Sequence, residues 1–157
     1  MIITIIQGII FLSYIFFLVY RFGVLPSISE SHYRLNDLRK SYLFTLFCWA
    51  LSVLMIFQTN ETSPLFFISA TGLAFVGSAS EFKWTGAFTN IVHYGGALLG
   101  IGGALMGLWI EYNNLIPLLA FISIGIVLSA LNVRNIIWWV EIVAFVCIIS
   151  GLLYRFA

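Results

Sequence analysis

Six stretches of the chain are almost wholly apolar, and short polar stretches separate them. They cover about residues 2–20, 41–57, 64–80, 90–110, 115–131 and 136–154. Each is close to the ~20 residues that a helix needs to cross a hydrocarbon core. The connections are 21–40, 58–63, 81–89, 111–114 and 132–135, and only the first is long enough to hold structure of its own. The pattern predicts an all-α, polytopic transmembrane bundle of about six spanning helices. It forms a single domain over 1–157 and leaves no room for an extramembrane domain. Function must then reside in the bundle or at its faces.

The fourth run has a pattern of its own, and the others are expected to organise around it. At about 100° per residue, His93, Gly96, Ala97, Gly100, Gly103, Ala104, Gly107 and Glu111 fall on one helix face. Gly96-x-x-x-Gly100 and Gly103-x-x-x-Gly107 stand in tandem along it. From His93 to Glu111 this helix measures roughly 27 Å, about one hydrocarbon core. A smooth glycine side lets neighbouring backbones approach closely inside a bundle. Ala70, Ala74 and Gly77 form a second small-residue edge in the third run, a candidate partner for the glycine face. The same face also permits association with a second copy or with another membrane protein.

The long connection carries a helix signal. Ser27-Ile-Ser-Glu30 follows Pro26 and reads as a capping box. Ile28, Leu35, Leu38 and Tyr42 fall on one side of the predicted helix, and Glu30, Arg34 and Asp37 on the other. Glu30 and Arg34 have a favourable i,i+4 spacing. An amphipathic helix lying at the membrane interface over 21–40 is the expectation. Pro117 sits where a fifth helix would start, and Trp138-Trp139 where an interfacial aromatic belt would lie in the sixth.

Composition agrees with the pattern. Apolar residues make up 62% of the chain and charged residues 8%, against about a quarter charged in soluble domains. A net charge of +1 leaves no basis for nucleic-acid binding, whereas membrane lipids are expected partners. Cys48 and Cys147 both lie in apolar runs and read as buried thiols. Residues 1–20 have no basic n-region and read as a retained first helix rather than a cleaved leader. Connections one, three and five hold Arg21, Arg34, Arg39, Lys40, Lys83 and Arg134, and the other side only Arg155. The positive-inside rule then puts those connections in the cytoplasm and both termini outside, in an inner- or plasma-membrane setting. Asn60-Glu-Thr62 becomes an outward-facing sequon.

The ionisable groups gather at one depth. His93 lies near the cytoplasmic end of the fourth run, and Glu141 about a turn and a half inside the sixth, at ~5.4 Å per turn. His32, Asn90 and Glu81 belong to the same face. A carboxylate inside a spanning helix costs about 2.5–3.5 kcal/mol at mid-membrane, so Glu141 must be neutral, paired or beside a wet cavity. His93 is its expected partner by depth and Arg134 the second. Glu111, at the other end of the glycine stripe, is expected in water. The predicted pocket is therefore His93, Glu141, His32, Asn90 and Glu81, with Gly96, Gly100, Gly103 and Gly107 packing the helices that carry it.

Three functions fit this pattern. The first is a non-enzymatic pocket that holds a lipid headgroup, a small solute or a partner helix. The second is a lipid hydrolase, with His93, His32 and Glu141 offering a catalytic zinc donor set. No HExxH or Gly-x-Ser-x-Gly accompanies those residues, and there is no phosphate-loop or dinucleotide motif. The third is a proton or ion pathway through Glu141 and His93.

Overall fold

The computed structural model describes residues 1–58, 64–79 and 86–154. Glu81, Lys83, Arg155 and the sequon at Asn60 lie outside the described residues. The described chain is all helical: α1 (Ile2–Phe22), α2 (Ser31–Asn36), α3 (Tyr42–Ile56), α4 (Pro64–Ala79), α5 (Gly86–Ala97), α6 (Gly103–Ile110), α7 (Ile116–Ala130) and α8 (Ile136–Tyr154). A π turn at Leu98–Gly102 joins α5 to α6, so residues 86–110 form one rod. Three helices are long and apolar enough to cross a membrane: Ile2–Phe22, Gly86–Ile110 and Ile136–Tyr154. Tyr42–Ile56, Pro64–Ala79 and Ile116–Ala130 are apolar but shorter.

The centre of the bundle is α4, not the glycine rod that the sequence singled out. Eight of its 16 residues are buried, because it is sandwiched between α3 and the rod. Two faces of α4 serve the two neighbours. Leu65, Ser69, Gly72 and Val76 recur at helical spacing on the side toward the rod. A Cβ on Gly96 would lie 2.8 Å from the Gly72 carbonyl oxygen, and one on Gly103 3.2 Å from the Ser69 nitrogen. A Cβ on Gly107 would meet the Phe66 ring at 2.8 Å, and one on Gly100 the Leu73 side chain at 3.3 Å. At the closest point, a Cβ on Gly72 would stand 2.4 Å from the Gly100 amide nitrogen.

The expected partner edge, Ala70, Ala74 and Gly77, does not meet the rod. Ser52 Oγ donates to the Ala70 carbonyl (2.7 Å) and Thr45 Oγ1 to that of Gly77 (2.9 Å), both from α3. A Cβ on Gly77 would lie 2.6 Å from Cys48 Cβ. Small residues mark both faces of α4, and contacts from α3 side chains distinguish the one that α3 takes.

The π turn is a second departure from the expected regular helix. Its wider i→i+5 winding loosens the backbone ladder. There Ser69 Oγ donates to the Gly100 carbonyl at 2.5 Å and also lies 3.0 Å from Met55 Sδ. One fully buried hydroxyl thus touches α3, α4 and the rod at mid-bundle and satisfies the loosened carbonyl.

Left-handed residues stop several helices. Arg39 has φ 56°, with Lys40 N–H donating to the Leu35 carbonyl and Arg39 N–H to that of Asn36. That pair of bonds is a Schellman stop. It ends α2 after six residues, so the amphipathic helix is shorter than expected. Ile28 and Leu35 are buried, but Leu38 and Tyr42 are exposed. Asn132 (φ 47°) ends α7 the same way, with Val133 N–H bonded to the Leu128 carbonyl.

Candidate functional site

Chain segment 23–30 determines the shape of one end of the bundle. Instead of lying on a surface it runs back under the helices, with Leu25 and Ile28 buried. Three residues at every third position of the α8 start hold it. Asn135 Nδ2 donates to the Val24 carbonyl (3.1 Å) and Trp138 N–H to that of Pro26 (3.1 Å). Glu141 Oε2 accepts from the Ile28 N–H at 2.5 Å. Trp138 is in the first turn, so its N–H lacks a helical partner, and the segment supplies one. The Trp138 ring is buried, so of the expected aromatic belt only Trp139, 38% exposed, faces outward.

This arrangement corrects the reading of Glu141. Its direct partner is a backbone amide, neither His93 nor Arg134. The carboxylate still sits among buried groups, and it fixes the segment from which α2 and His32 extend. The segment continues into α2 through a partial capping box. Ser27 Oγ accepts the Glu30 N–H (3.1 Å), and buried Ser31 pairs with Tyr14 Oη (2.8 Å), which stacks on Phe47 at 4.1 Å.

Two cavities lie between this segment and the helices. The outer one, a vestibule of about 150 Å³, is lined by Ser27, Ser29, Glu30, His32, Asn90 and His93, with Tyr33, Phe44 and Tyr94 beside them. His32 meets the Phe44 ring edge-on at 6.3 Å, and Asn90 is exposed at the rim. Half-buried His93 lines both cavities. The inner cavity, about 40 Å³, holds Glu141 at its far side. A water needs roughly 10–15 Å³ of such space, so it has room for only a few. The rest of its lining is largely apolar, including Phe47, Leu73, Ile101 and Phe145.

Of the predicted pocket residues, His32, His93 and Asn90 therefore share the vestibule, and Glu141 reaches it only through the inner cavity. Glu81 lies outside the described residues. Among the described residues no three His, Cys, Asp or Glu side chains are grouped to hold a metal ion. The donor set His93, His32 and Glu141 does not come together, because Glu141 lines the inner cavity and His32 the vestibule.

Sequence reasoning passed over several polar residues. The sequence presents Ser27 as a helix cap and marks Ser29 with no role, yet both line the vestibule. At the opposite end, Gln58 Nε2 donates to Oε1 of buried Gln7, and Thr4 Oγ1 contacts Gln58 Oε1 at 3.5 Å. A glutamine inside the first apolar run was the available signal. Glu111, expected in water, is half-buried and accepts the Leu65 N–H (2.8 Å). It thus sits at the positive start of α4, which compensates its unfavourable place at the end of the rod.

Comparison of the chain with protein-family models, curated proteins and solved structures yields no match. The functional reading therefore stands on the geometry of the vestibule.

Proposed function

We propose that the chain is a six-span integral membrane protein whose vestibule opens at the cytoplasmic face and binds a phospholipid headgroup. The observation that carries this reading is the vestibule lining. Two imidazoles, the Asn90 amide and two serine hydroxyls come from separate parts of the chain and surround one cavity of about 150 Å³. Folding alone does not require them to converge. Among the described lining residues Glu30 carries the one formal charge with the histidines neutral, which favours a headgroup bearing an amine or hydroxyls over an anion.

The membrane side of the reading has independent support. With six spans, connections one, three and five share one side, and they hold six of the seven basic residues. The three shorter helices would span ~22–24 Å at ~1.5 Å per residue, which a locally thinned bilayer accommodates. Ile91 and Tyr94, each 70% exposed on α5 beside the vestibule, are suited to face lipid. A headgroup could thus enter while its acyl chains stay in the bilayer. The apolar lining beyond Glu141 argues against an ion path.

The test is lipid retention by native mass spectrometry of the purified protein, offered phosphatidylethanolamine and phosphatidylcholine with matched chains. His32→Ala with His93→Ala removes two hydrogen-bonding rings, worth ~1 kcal/mol each, so phosphatidylethanolamine retention should fall about thirtyfold. Unchanged retention in a folded double variant refutes the proposal.

A further inference from the structure

Segment 23–30 has two sides, and the second side carries a different chemistry. Glu30 and Arg34 have the spacing of an ion pair, but they line separate spaces. Glu30 lines the vestibule, whereas Arg34 lines a cleft of about 390 Å³ on the other side of the segment. Arg134 lines that cleft as well, together with Asn135, Phe22 and the stretch 24–26. Neither an Asp nor a Glu is among the described residues lining it. Two guanidiniums from chain positions one hundred residues apart thus share a cleft without a carboxylate to neutralise them.

Both arginines stand on fixed backbone. Arg34 belongs to α2, which buried Leu35 and the Ser31–Tyr14 bond anchor to the bundle. Arg134 lies between Asn132 and Asn135, both held left-handed at φ 47° and 57°. The Asn135 side chain also ties this turn to the Val24 carbonyl. Past Arg134 the cleft adjoins a groove of about 490 Å³ that shares Val24, Arg134 and Asn135 and adds Val133 and Trp139. The groove supplies apolar and aromatic surface on the outside of the bundle, next to the cationic cleft.

We infer that Arg34 and Arg134 form a second lipid site, selective for the phosphate of an anionic phospholipid whose acyl chain follows the Val24–Val133–Trp139 groove. Guanidinium forks match phosphate oxygens two at a time. Basic pockets between helices on the cytoplasmic side suit anionic headgroups, each arginine near the surface adding about fivefold in affinity. The inference rests on the membrane reading of the chain but not on the vestibule, which lies across the segment and has the opposite charge preference.

The experiment offers the purified full chain phosphatidic acid against phosphatidylcholine with matched acyl chains and reads retained lipid by native mass spectrometry. Wild type should prefer phosphatidic acid, and Arg34→Gln with Arg134→Gln should lower its retention about thirtyfold. Arg34→Lys with Arg134→Lys, which keeps the charges that orient the chain, should lower it about fivefold and serves if the glutamine pair does not fold. Arg39→Gln with Lys40→Gln removes two charges at the same end outside the cleft and should leave the preference in place, as should His93→Ala. No preference in wild type overturns the inference, as does a preference that survives both arginine pairs. Equal loss in the Arg39 and Lys40 pair would assign the effect to general surface charge, and equal loss in His93→Ala to the vestibule; either overturns the site. If excess inorganic phosphate abolishes the preference, the ligand is soluble phosphate and the lipid assignment falls.

Discussion

Gly72→Ala puts a methyl carbon where α4 and the rod have no space between their backbones. The new Cβ would lie 2.4 Å from the Gly100 amide nitrogen, 2.6 Å from the Gly96 carbonyl oxygen and 2.9 Å from Gly100 Cα. Ordinary Cβ contacts begin at 3.4 Å, so the closest approach is short by about 1 Å. All three obstacles are backbone, and no rotamer change relieves them. The helices must separate, at ~1–3 kcal/mol for overpacking. Separation also stretches the Ser69–Gly100 bond, worth ~0.6–1.7 kcal/mol between membrane helices. Together the loss is about 2–5 kcal/mol. Gly125→Ala is the control: nothing lies within 4 Å of its added Cβ, and alanine's better helix propensity gives no loss or a gain of up to ~1 kcal/mol. Gly151→Ala falls between, because its obstacles are side chains rather than backbone, the movable tip of Leu108 at 2.6 Å and the stiffer Pro117 ring at 2.7 Å. Equilibrium unfolding in mixed micelles, titrated with dodecyl sulfate, ranks the three. If Gly72→Ala is no more destabilising than Gly125→Ala, the close approach of α4 to the rod is wrong.

Three further outcomes follow from single contacts. Glu111→Ala removes the acceptor of the Leu65 N–H and should cost ~0.5–2 kcal/mol in the same titration, with Glu111→Gln costing less because it keeps an acceptor. Glu141→Leu should raise amide exchange across 24–31 at least tenfold while α3 and α4 stay protected, whereas Glu141→Gln keeps an acceptor for Ile28; equal exchange in both variants would remove the anchoring role. Arg39→Gly relieves a left-handed non-glycine residue and should be neutral or stabilising by up to ~1 kcal/mol, while Arg39→Val should destabilise.

The apolar runs made the helices legible, since a 15–20-residue stretch without charge has few other solutions. The run at 136–154 coincides with α8, and the others fit to within a few residues. His32, His93 and Asn90, expected at one depth from the order of the apolar runs, line one cavity. What depth cannot give is azimuth. Ala70, Ala74, Gly77 and Gly72 are all small, and the contacts that distinguish the α3 face of α4 come from side chains on α3, Ser52, Thr45 and Trp49 among them. Partners made of backbone are invisible for a related reason. The Ile28 amide that holds Glu141 and the Leu65 amide that holds Glu111 have no residue type to announce them. The π turn lay hidden in a glycine-rich stretch whose heptad-like spacing reads as regular helix.

His32 and His93 line one vestibule, which we propose opens to the cytoplasm. The direct measurement is labelling of single cysteines in oriented vesicles with a membrane-impermeant maleimide, in a Cys48→Ala, Cys147→Ala background. His32→Cys and His93→Cys should both react from the cytoplasmic side alone, and phosphatidylethanolamine should slow both together. Labelling from the outside, or reaction of one position with the other inert, would rule out a shared cytoplasmic vestibule.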